Sequence, residues 1–403
     1  MKKELSEEEL FEKIPVPQAV ATLAIPTIIS QVVTMIYNLA DTFFVGQIGN
    51  PYMVAAVSLV SSWFNLLTAL GNLFGLGGGS LISRMLGSSN HRDVKHVSAF
   101  SIWGGGLTTL LFSILTFVFR TPLLNFLGAS PDTYDYAQSY LNVAGAAIAT
   151  ACSNLASVIF FVVIYIRLKE KTTVSLLPGY FTFRFIRQIF SVGLASALAT
   201  TLGNVSNMVI VKLAAGYGDI PVAAYGIVKR IDQVPLNVSM GLCQGFMPLV
   251  GYNYASGNYR RMRDVSFFSW KTAVVMSACF VACFAFFAHQ ILHLFIPEME
   301  TSTLGASFLR IACLAVPFTS INFLISYTLQ AMGKGAQSAI LTFSRQGLLN
   351  VPLLVLMNVT IGLYGMIWTQ LIVELIMLPV SLGMYRHTWQ RLKHRDKHKE
   401  ETI

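Results

Sequence analysis

Charged residues are scarce in this sequence. Asp, Glu, Lys and Arg make up 12% of its 403 residues, against about 25% in an average soluble domain. Hydrophobic residues make up 54%, and the mean hydropathy is +0.60. This composition excludes an ordinary soluble protein.

The sequence also lacks stretches polar enough to separate soluble domains, because apolar runs of more than about 18 residues recur throughout. Such runs are too long for barrel strands, and a helix satisfies its own backbone hydrogen bonds in lipid. We therefore predict an all-α polytopic membrane protein without a soluble catalytic domain. Its ten predicted spans are 18–46, 53–83, 97–119, 137–166, 189–211, 222–250, 271–296, 311–332, 336–360 and 362–385.

Cysteine and histidine are few, with five and seven residues. All five cysteines lie in apolar runs, which disfavours both disulfides and thiolate zinc sites. His289 and His293 share a helix face but have no third ligand nearby in the sequence. Serine, histidine and aspartate are not grouped as in a hydrolase. We expect no enzyme, no metal site and no cofactor.

Basic residues are distributed unevenly between the predicted loops. Loops on the side of the N-terminus carry 21 of the 28 Lys and Arg residues, whereas the opposite loops carry only Arg120 and Lys212. Positive charge accumulates on the cytoplasmic side, so we expect a multi-pass protein of the cell inner (plasma) membrane with both termini cytoplasmic. Because these residues flank spans rather than cover one soluble face, the net charge of +9 does not indicate nucleic-acid binding.

The sequence repeats itself with a shift of 168 residues. Residues 54–56 (VAA) match 222–224, and SSNHR at 88–92 matches SGNYR at 256–260. Parallel repeats of this kind build many transporters from two lobes. Further along, Gly145 corresponds to Gly365 at a shift of 220, so the first half is about 52 residues shorter, the length of two membrane helices with a loop.

The predicted organisation follows from the repeat. The segments are an N-terminal tail 1–17, a shortened four-helix lobe 18–166, a cytoplasmic linker 167–188, a six-helix lobe 189–385 and a basic tail 386–403. The loss of an even number of helices preserves the topology of everything that follows.

Three stretches of the chain carry a family resemblance. They are LAIPTIISQ with NLADTFFVGQIGN in the first span, VAAYGIVKRIDQVPLNVSMGLCQGFMPLVGYNYASGN in the second half, and QAMGKG at 330–335. Together they resemble the multidrug and toxic compound extrusion (MATE) family over nearly the whole chain. The resemblance implies export of amphipathic, often cationic, compounds by alternating access in exchange for protons or sodium. It also implies twelve helices, of which this chain lacks helices four and five.

Only three of the 19 acidic residues fall in predicted spans: Asp41, Asp232 and Glu374. A carboxylate at membrane depth is costly and marks a functional candidate. The resemblance implies that Asp41 is the cation-coupling residue of the first lobe, with Thr150 as a further ligand; Asn38 lies one turn earlier. Because the family's helix-five ligands are missing, proton coupling is favoured over sodium. The alternative for Asp41 is a helix-end aspartate near the headgroups.

The other embedded charges are open to two interpretations. Lys229 can pair with Asp232 on one helix face, or these two residues can line a water-filled cavity of the second lobe. The cavity set contains Lys229, Arg230, Asp232, Met240 and Gln244. Glu374 either faces the lobe interior or pairs with Arg345, and no role is assigned to it. Pro26 permits a bend in the first helix, which the resemblance links to protonation, although a static kink is the alternative.

Three other functions compete with drug export. A flippase for lipid-linked precursors would use Lys229, Arg230, Lys271 and Arg310 to hold phosphates. A non-transporting remnant is suggested by the missing helix pair, which predicts little or no gradient-coupled export until about 52 residues are inserted between Asn142 and Val143. An intramembrane enzyme using Asp41 and Asp232 is disfavoured because they lie in different lobes. The expected partners are a small amphipathic substrate, a coupling cation and the lipid bilayer, and we expect a monomer.

Overall fold

The computed structural model describes residues 9–47, 51–127, 134, 135, 138, 174, 175, 177–295 and 298–400. Within these ranges, side chains are described except at 37–47, 51–66, 126, 127, 219 and 394–400. The described residues form helices and connecting turns, without a strand. Seven of the described helical stretches are long and apolar enough to cross a membrane. The prediction of an all-α polytopic membrane protein is confirmed.

Twelve described α-helices follow one another along the chain. With the predicted division at 167–188, the first lobe would comprise α1 (Val16–Gln47), α2 (Pro51–Gly87), α3 (His91–Val118) and α4 (Arg120–Leu127). The second lobe contains α5 (Ile186–Ala215), α6 (Asp219–Ala255), α7 (Tyr259–Phe295), α8 (Met299–Ala312), α9 (Val316–Ala331), α10 (Gly335–Thr342), α11 (Val351–Thr360) and α12 (Leu363–Glu400).

Several short elements complete the described chain. A π-helix, Glu9–Lys13, precedes α1, and 3-10 turns at Pro178–Tyr180 and Phe183–Phe185 precede α5. The turn Cys313–Ala315 continues α8 into α9, and a second π-helix, Phe343–Asn350, continues α10 into α11. The last two connections create single helical stretches of spanning length, Met299–Ala331 and Gly335–Thr360.

Nine of the ten predicted spans coincide with described helices, and the span 137–166 lies outside the described residues except for residue 138. The starts predicted at 271 and 311 are wrong, because these helical stretches begin at Tyr259 and Met299. Glu300 and Arg310 suggested a loop, yet the Arg310 side chain folds back and donates from Nε to the Ala285 carbonyl oxygen at 3.2 Å. A charged side chain that finds such a partner does not end a helix.

The repeat is visible in the helix boundaries. Both α2 and α6 have 37 residues, and their first and last residues are 168 positions apart. Each is followed by a three-residue turn whose middle residue has a positive φ, 58° at Ser89 and 81° at Gly257. In each turn an asparagine side chain then accepts a hydrogen bond from the backbone N–H three residues on, Asn90 from Asp93 and Asn258 from Arg261. The two halves therefore share their local structure as well as their sequence pattern.

The turns after α2 and α6 lie at the same end of the helix bundle. A Cβ added to Gly87 would meet the backbone of Tyr252, and one added to Gly333 would meet the Arg84 guanidinium. We call this the basic end, defined by Gly87, Arg84, Tyr252 and Gly333. At the other end of α5, the Tyr217 hydroxyl donates to Asn358 Oδ1 at 2.9 Å.

Candidate functional site

Glu374 is the centre of a buried polar network in the second lobe. Its side chain is fully buried, and Oε1 accepts from Arg345 Nη1 at 2.9 Å and from Gln370 Nε2 at 2.9 Å. The other oxygen, Oε2, accepts from Asn322 Nδ2 at 2.7 Å. The suggested pairing of Glu374 with Arg345 is confirmed. A buried carboxylate with three donors is compensated as an anion.

Three different elements position this network. Glu374 and Gln370 lie one turn apart on α12, and Asn322 lies on α9. Arg345 belongs to the π-helix Phe343–Asn350, whose wider turn is a common feature of functional or strained sites. The network therefore links α9, the π-helix and α12 within the second lobe.

A small cavity of about 10 Å³ adjoins the network, lined by polar residues that include Asn322, Ser326 and Arg345. A volume of this size suits about one water molecule. The Arg345 guanidinium also lies 4.5 Å from the centre of the Phe323 ring. The Phe323 ring and the Glu374 carboxylate thus stabilise the Arg345 guanidinium. The adjoining cavity is too small for a drug-sized molecule.

Asp232 is held much more loosely than Glu374. Lys229 Nζ lies 3.9 Å from Asp232 Oδ2, and the two side chains are 33% and 13% exposed. The other oxygen, Oδ1, is buried and has no hydrogen-bond partner among the described residues. Lys229 and Asp232 therefore share a helix face. The Oδ1 atom of Asp232 is still available to a proton or a cation.

The predicted cavity set of the second lobe does not form one cluster. Lys229 and Asp232 pair with each other, whereas Gln244 accepts from Gln31 Nε2 of α1 at 3.1 Å. Arg230 is exposed, and Met240 is half-buried. Gln244 therefore belongs to the contact between the lobes, away from the Lys229–Asp232 pair.

The two lobes cross through two related helix pairs, α1 with α6 and α2 with α5. A Cβ at Gly77 of α2 would meet the backbone of Ile189 in α5. A Cβ at Gly245 of α6, 168 positions later, would meet the backbone of Ala24 in α1. Small residues let helices approach closely in a membrane, so the repeat builds a pseudo-twofold interface.

Polar contacts accompany these crossings. The Thr27 hydroxyl lies 2.7 Å from the Gly241 carbonyl oxygen, and the Ser80 hydroxyl donates to the Gln330 carbonyl oxygen at 2.6 Å. Pro26, beside Thr27, lies within the continuous helix α1. The Thr27–Gly241 and Ser80–Gln330 contacts both lie in the halves of their helices that are nearer the basic end.

The first-lobe candidates lie farther along α1. Asn38 and Asp41 are in this helix, but their side chains lie outside the described part, and Thr150 lies outside the described residues altogether. Ala24 packs against Gly245 and Ile28 against Gly241, so α1 and α6 run antiparallel in a fixed register. A straight continuation of this register would bring Asp41 level with residue 228, one turn before Asp232.

The segment before α1 is fastened to the second lobe at the basic end. Arg261 donates from Nε to the Phe11 carbonyl oxygen and from Nη2 to the Ile14 carbonyl oxygen, both at 2.7 Å. Tyr252 donates from its hydroxyl to Glu12 Oε1 at 2.8 Å, and its ring stacks on that of Phe11 at 4.7 Å. We call residues 9–14 the N-terminal latch.

Removing the Arg261 guanidinium should free the N-terminal latch. For Arg261→Gln we expect amide hydrogen exchange across residues 9–14 to become at least about tenfold faster, because each charge-assisted hydrogen bond contributes about 1.5–3 kcal/mol. Exchange measured by mass spectrometry checks this. Arg260→Gln is the matched control, since Arg260 is exposed, and equal exchange in both variants would contradict the latch.

Sequence reasoning missed two features of this region. The donors Asn322 and Gln370 lie in apolar spans, and the only signal for Gln370 is its position four residues before Glu374. The latch gave no signal, because Arg261 uses backbone oxygens whose positions depend on the tertiary fold. The nearest indication is that Arg261 lies in a basic loop between two predicted spans.

Comparisons with known proteins agree in sequence and in structure. The family model described as MatE matches residues 26–162 and again 195–356. "Multidrug export protein MepA" of Staphylococcus aureus (strain MSSA476) is 30% identical over 443 positions, covering 94% of this chain and 96% of that protein. MepA of Staphylococcus saprophyticus is 29% identical, covering 92% and 94%.

A solved structure shares the fold. It is described as "Outward-facing conformation of a multidrug resistance MATE family transporter of the MOP superfamily" and gives a TM-score of 0.87 at 21% identity. The likeness covers 97% of this chain and 100% of that chain.

This chain is shorter than the S. aureus relative over the aligned region. The alignment with the S. aureus protein has 443 positions, but this chain has 403 residues, so at least 40 positions of the relative have no counterpart here. The first family match, 26–162, is also shorter than the second, 195–356. Because the two matches together cover well over half of the sequence, the chain belongs to the MatE family, whose members are membrane transporters and not enzymes.

Proposed function

We propose that this protein is a secondary active multidrug exporter that moves amphipathic cations out of the cytoplasm in exchange for protons. The observation that carries the proposal is the pseudo-twofold crossing of α1 with α6 and α2 with α5. Two equivalent lobes that meet through small residues can rock against each other around a central site. The protein would lie in the plasma membrane as a monomer with both termini cytoplasmic.

The described contacts fit one state of an alternating-access cycle. The lobes pack closely towards the basic end, where the latch and the glycine contacts lie. With the basic end on the cytoplasmic side, this arrangement would close the cytoplasmic path. Opening to the cytoplasm would then require Gly77 to separate from Ile189 and Gly245 from Ala24.

We assign proton coupling to Asp41, with Asn38 and Thr150 as the further candidate residues of this coupling site. The position of Asp41 in α1, at the depth of the Lys229–Asp232 pair, favours a role close to the path between the lobes. Asp232 is a second candidate, because its Oδ1 atom has no partner among the described residues. Glu374 is a poorer one, since three donors already satisfy it as an anion.

Neutralising Asp41 tests the coupling assignment. In cells loaded with a fluorescent amphipathic cation, Asp41→Asn should abolish gradient-driven efflux while leaving membrane insertion intact, because asparagine imitates the protonated state permanently. Dye fluorescence followed over time is the measurement. Asp264→Asn is the control, since Asp264 is exposed at the start of α7, and full efflux by Asp41→Asn would exclude Asp41 from the mechanism.

A non-transporting remnant is the second candidate function. It is favoured by the alignment, in which at least 40 positions of the S. aureus relative are missing here. Export by the chain on its own would reject it. No export by the chain, together with export after insertion of about 52 residues between Asn142 and Val143, would support it.

The flippase alternative gains no support from the basic residues. Lys229 pairs with Asp232, and Arg310 is bonded to the Ala285 carbonyl oxygen. Lys271 lies on another helix, α7. The described contacts of Lys229 and Arg310 therefore give no support to a common phosphate-holding cavity of the kind that lipid-linked precursors would need.

A further inference from the structure

An apolar groove runs along the second lobe between α7, α9 and α12. It encloses about 480 Å³, within the 300–1,000 Å³ range of small-molecule sites. Its walls include Phe267, Val274, Ile321 and Leu382, and its one charged lining residue is Lys271. All its lining residues come from the second lobe, so the groove is separate from the crossing between the lobes.

Cations and apolar side chains alternate along one face of α7. Arg263, Phe267 and Lys271 follow one another at four-residue spacing, which places them in one row. Lys271 is exposed and makes no hydrogen bond or ion pair with any described residue. Arg263 pairs with Asp264 at 3.4 Å, but both side chains are about half exposed, so the pair is weak. Two cations about 12 Å apart therefore flank the apolar surface.

The groove lies in the part of the second lobe nearest the basic end. Trp270, which lines it, packs edge-on against Tyr385 with ring centres 4.8 Å apart. Arg263 stacks over Trp389 at 5.9 Å. Tryptophan and tyrosine gather at the level of lipid headgroups. Lys271 directly follows Trp270, and the long lysine side chain can extend its amine to that level.

We propose that this groove binds one anionic phospholipid of the leaflet at the basic end. An acyl chain would lie in the groove, and the phosphate would sit between Lys271 and Arg263. The charge pattern selects an anionic lipid over a zwitterionic one, because basic residues between helices on one side of a membrane protein attract anionic headgroups. The site does not depend on the proposed export.

Lipid titration of the full chain tests the proposal. Purified protein in detergent is titrated with phosphatidylglycerol or with phosphatidylcholine of the same acyl chains, and native mass spectrometry gives the fraction carrying one lipid. The wild-type chain should bind phosphatidylglycerol more tightly, and Lys271→Gln should weaken that binding about fivefold, the effect of one basic residue near a lipid surface. Binding of phosphatidylcholine should change little.

Two further variants separate a site from general charge or misfolding. Lys212→Gln removes an exposed cation at the end of α5 and should keep the wild-type preference. Arg263→Gln should weaken phosphatidylglycerol binding as Lys271→Gln does, with thermal unfolding confirming that both variants fold. Equal binding of the two lipids by the wild-type chain would overturn the proposal, as would an unchanged preference in both Lys271→Gln and Arg263→Gln.

Discussion

Glu374→Ala should destabilise the second lobe strongly. It leaves the Arg345 guanidinium buried without its carboxylate and removes the acceptor for Asn322 and Gln370. Removal of one partner of a buried ion pair typically costs about 3–5 kcal/mol. We expect a large fall in the thermal unfolding temperature in detergent, measured on the purified full chain.

A charge-matched control and a double variant make this expectation specific. Glu300→Ala removes an exposed acid of α8 and should leave the unfolding temperature unchanged. Glu374→Leu combined with Arg345→Met should recover much of the loss, because apolar replacement of a whole buried pair is often neutral. If Glu374→Ala unfolds at the wild-type temperature, the network does not hold the lobe together.

Gly77→Val should reduce drug efflux by at least about fivefold while the protein still inserts into the membrane. The new side chain would collide with the backbone of Ile189, so close packing of α2 on α5 towards the basic end would be disfavoured. Overpacking of this kind costs about 1–3 kcal/mol, and the cost falls on the closed state alone. Dye efflux from cells with matched protein levels is the measurement.

The matched control lies two residues away on the same helix. A Cβ at Gly79 would meet nothing within 4 Å, so Gly79→Val adds the same side chain to α2 without touching α5. We expect it to export normally. Equal efflux by the two variants would mean that close packing of α2 on α5 is not needed for the cycle.

The helices and the repeat were predictable because each depends on local sequence. Long apolar runs require helices in lipid, and the shift of 168 reappears in the bounds of α2 and α6. The early start of the stretch Met299–Ala331 was missed, because Arg310 donates to a backbone oxygen of a neighbouring helix. The sequence alone does not identify the Ala285 carbonyl oxygen as this acceptor, because the contact depends on how the helices pack.

The candidate site was only partly predictable for a related reason. A lone acid in an apolar span must find a partner, which is why Arg345 could be suggested for Glu374. The π-helix that turns Arg345 inward, and the donors Asn322 and Gln370, depend on how three elements meet. The sequence also does not reveal that Glu374 has three hydrogen-bond donors whereas Asp232 has one distant lysine, because this difference depends on distances in the folded protein.

Proton-driven export by the purified chain is the most direct test of the proposed function. The 403-residue protein is reconstituted in liposomes, a pH gradient is imposed, and movement of a fluorescent amphipathic cation is followed. We predict transport that depends on the gradient and is lost in Asp41→Asn but kept in Asp264→Asn. The absence of gradient-dependent transport by the wild-type chain, or transport that survives Asp41→Asn, would contradict it.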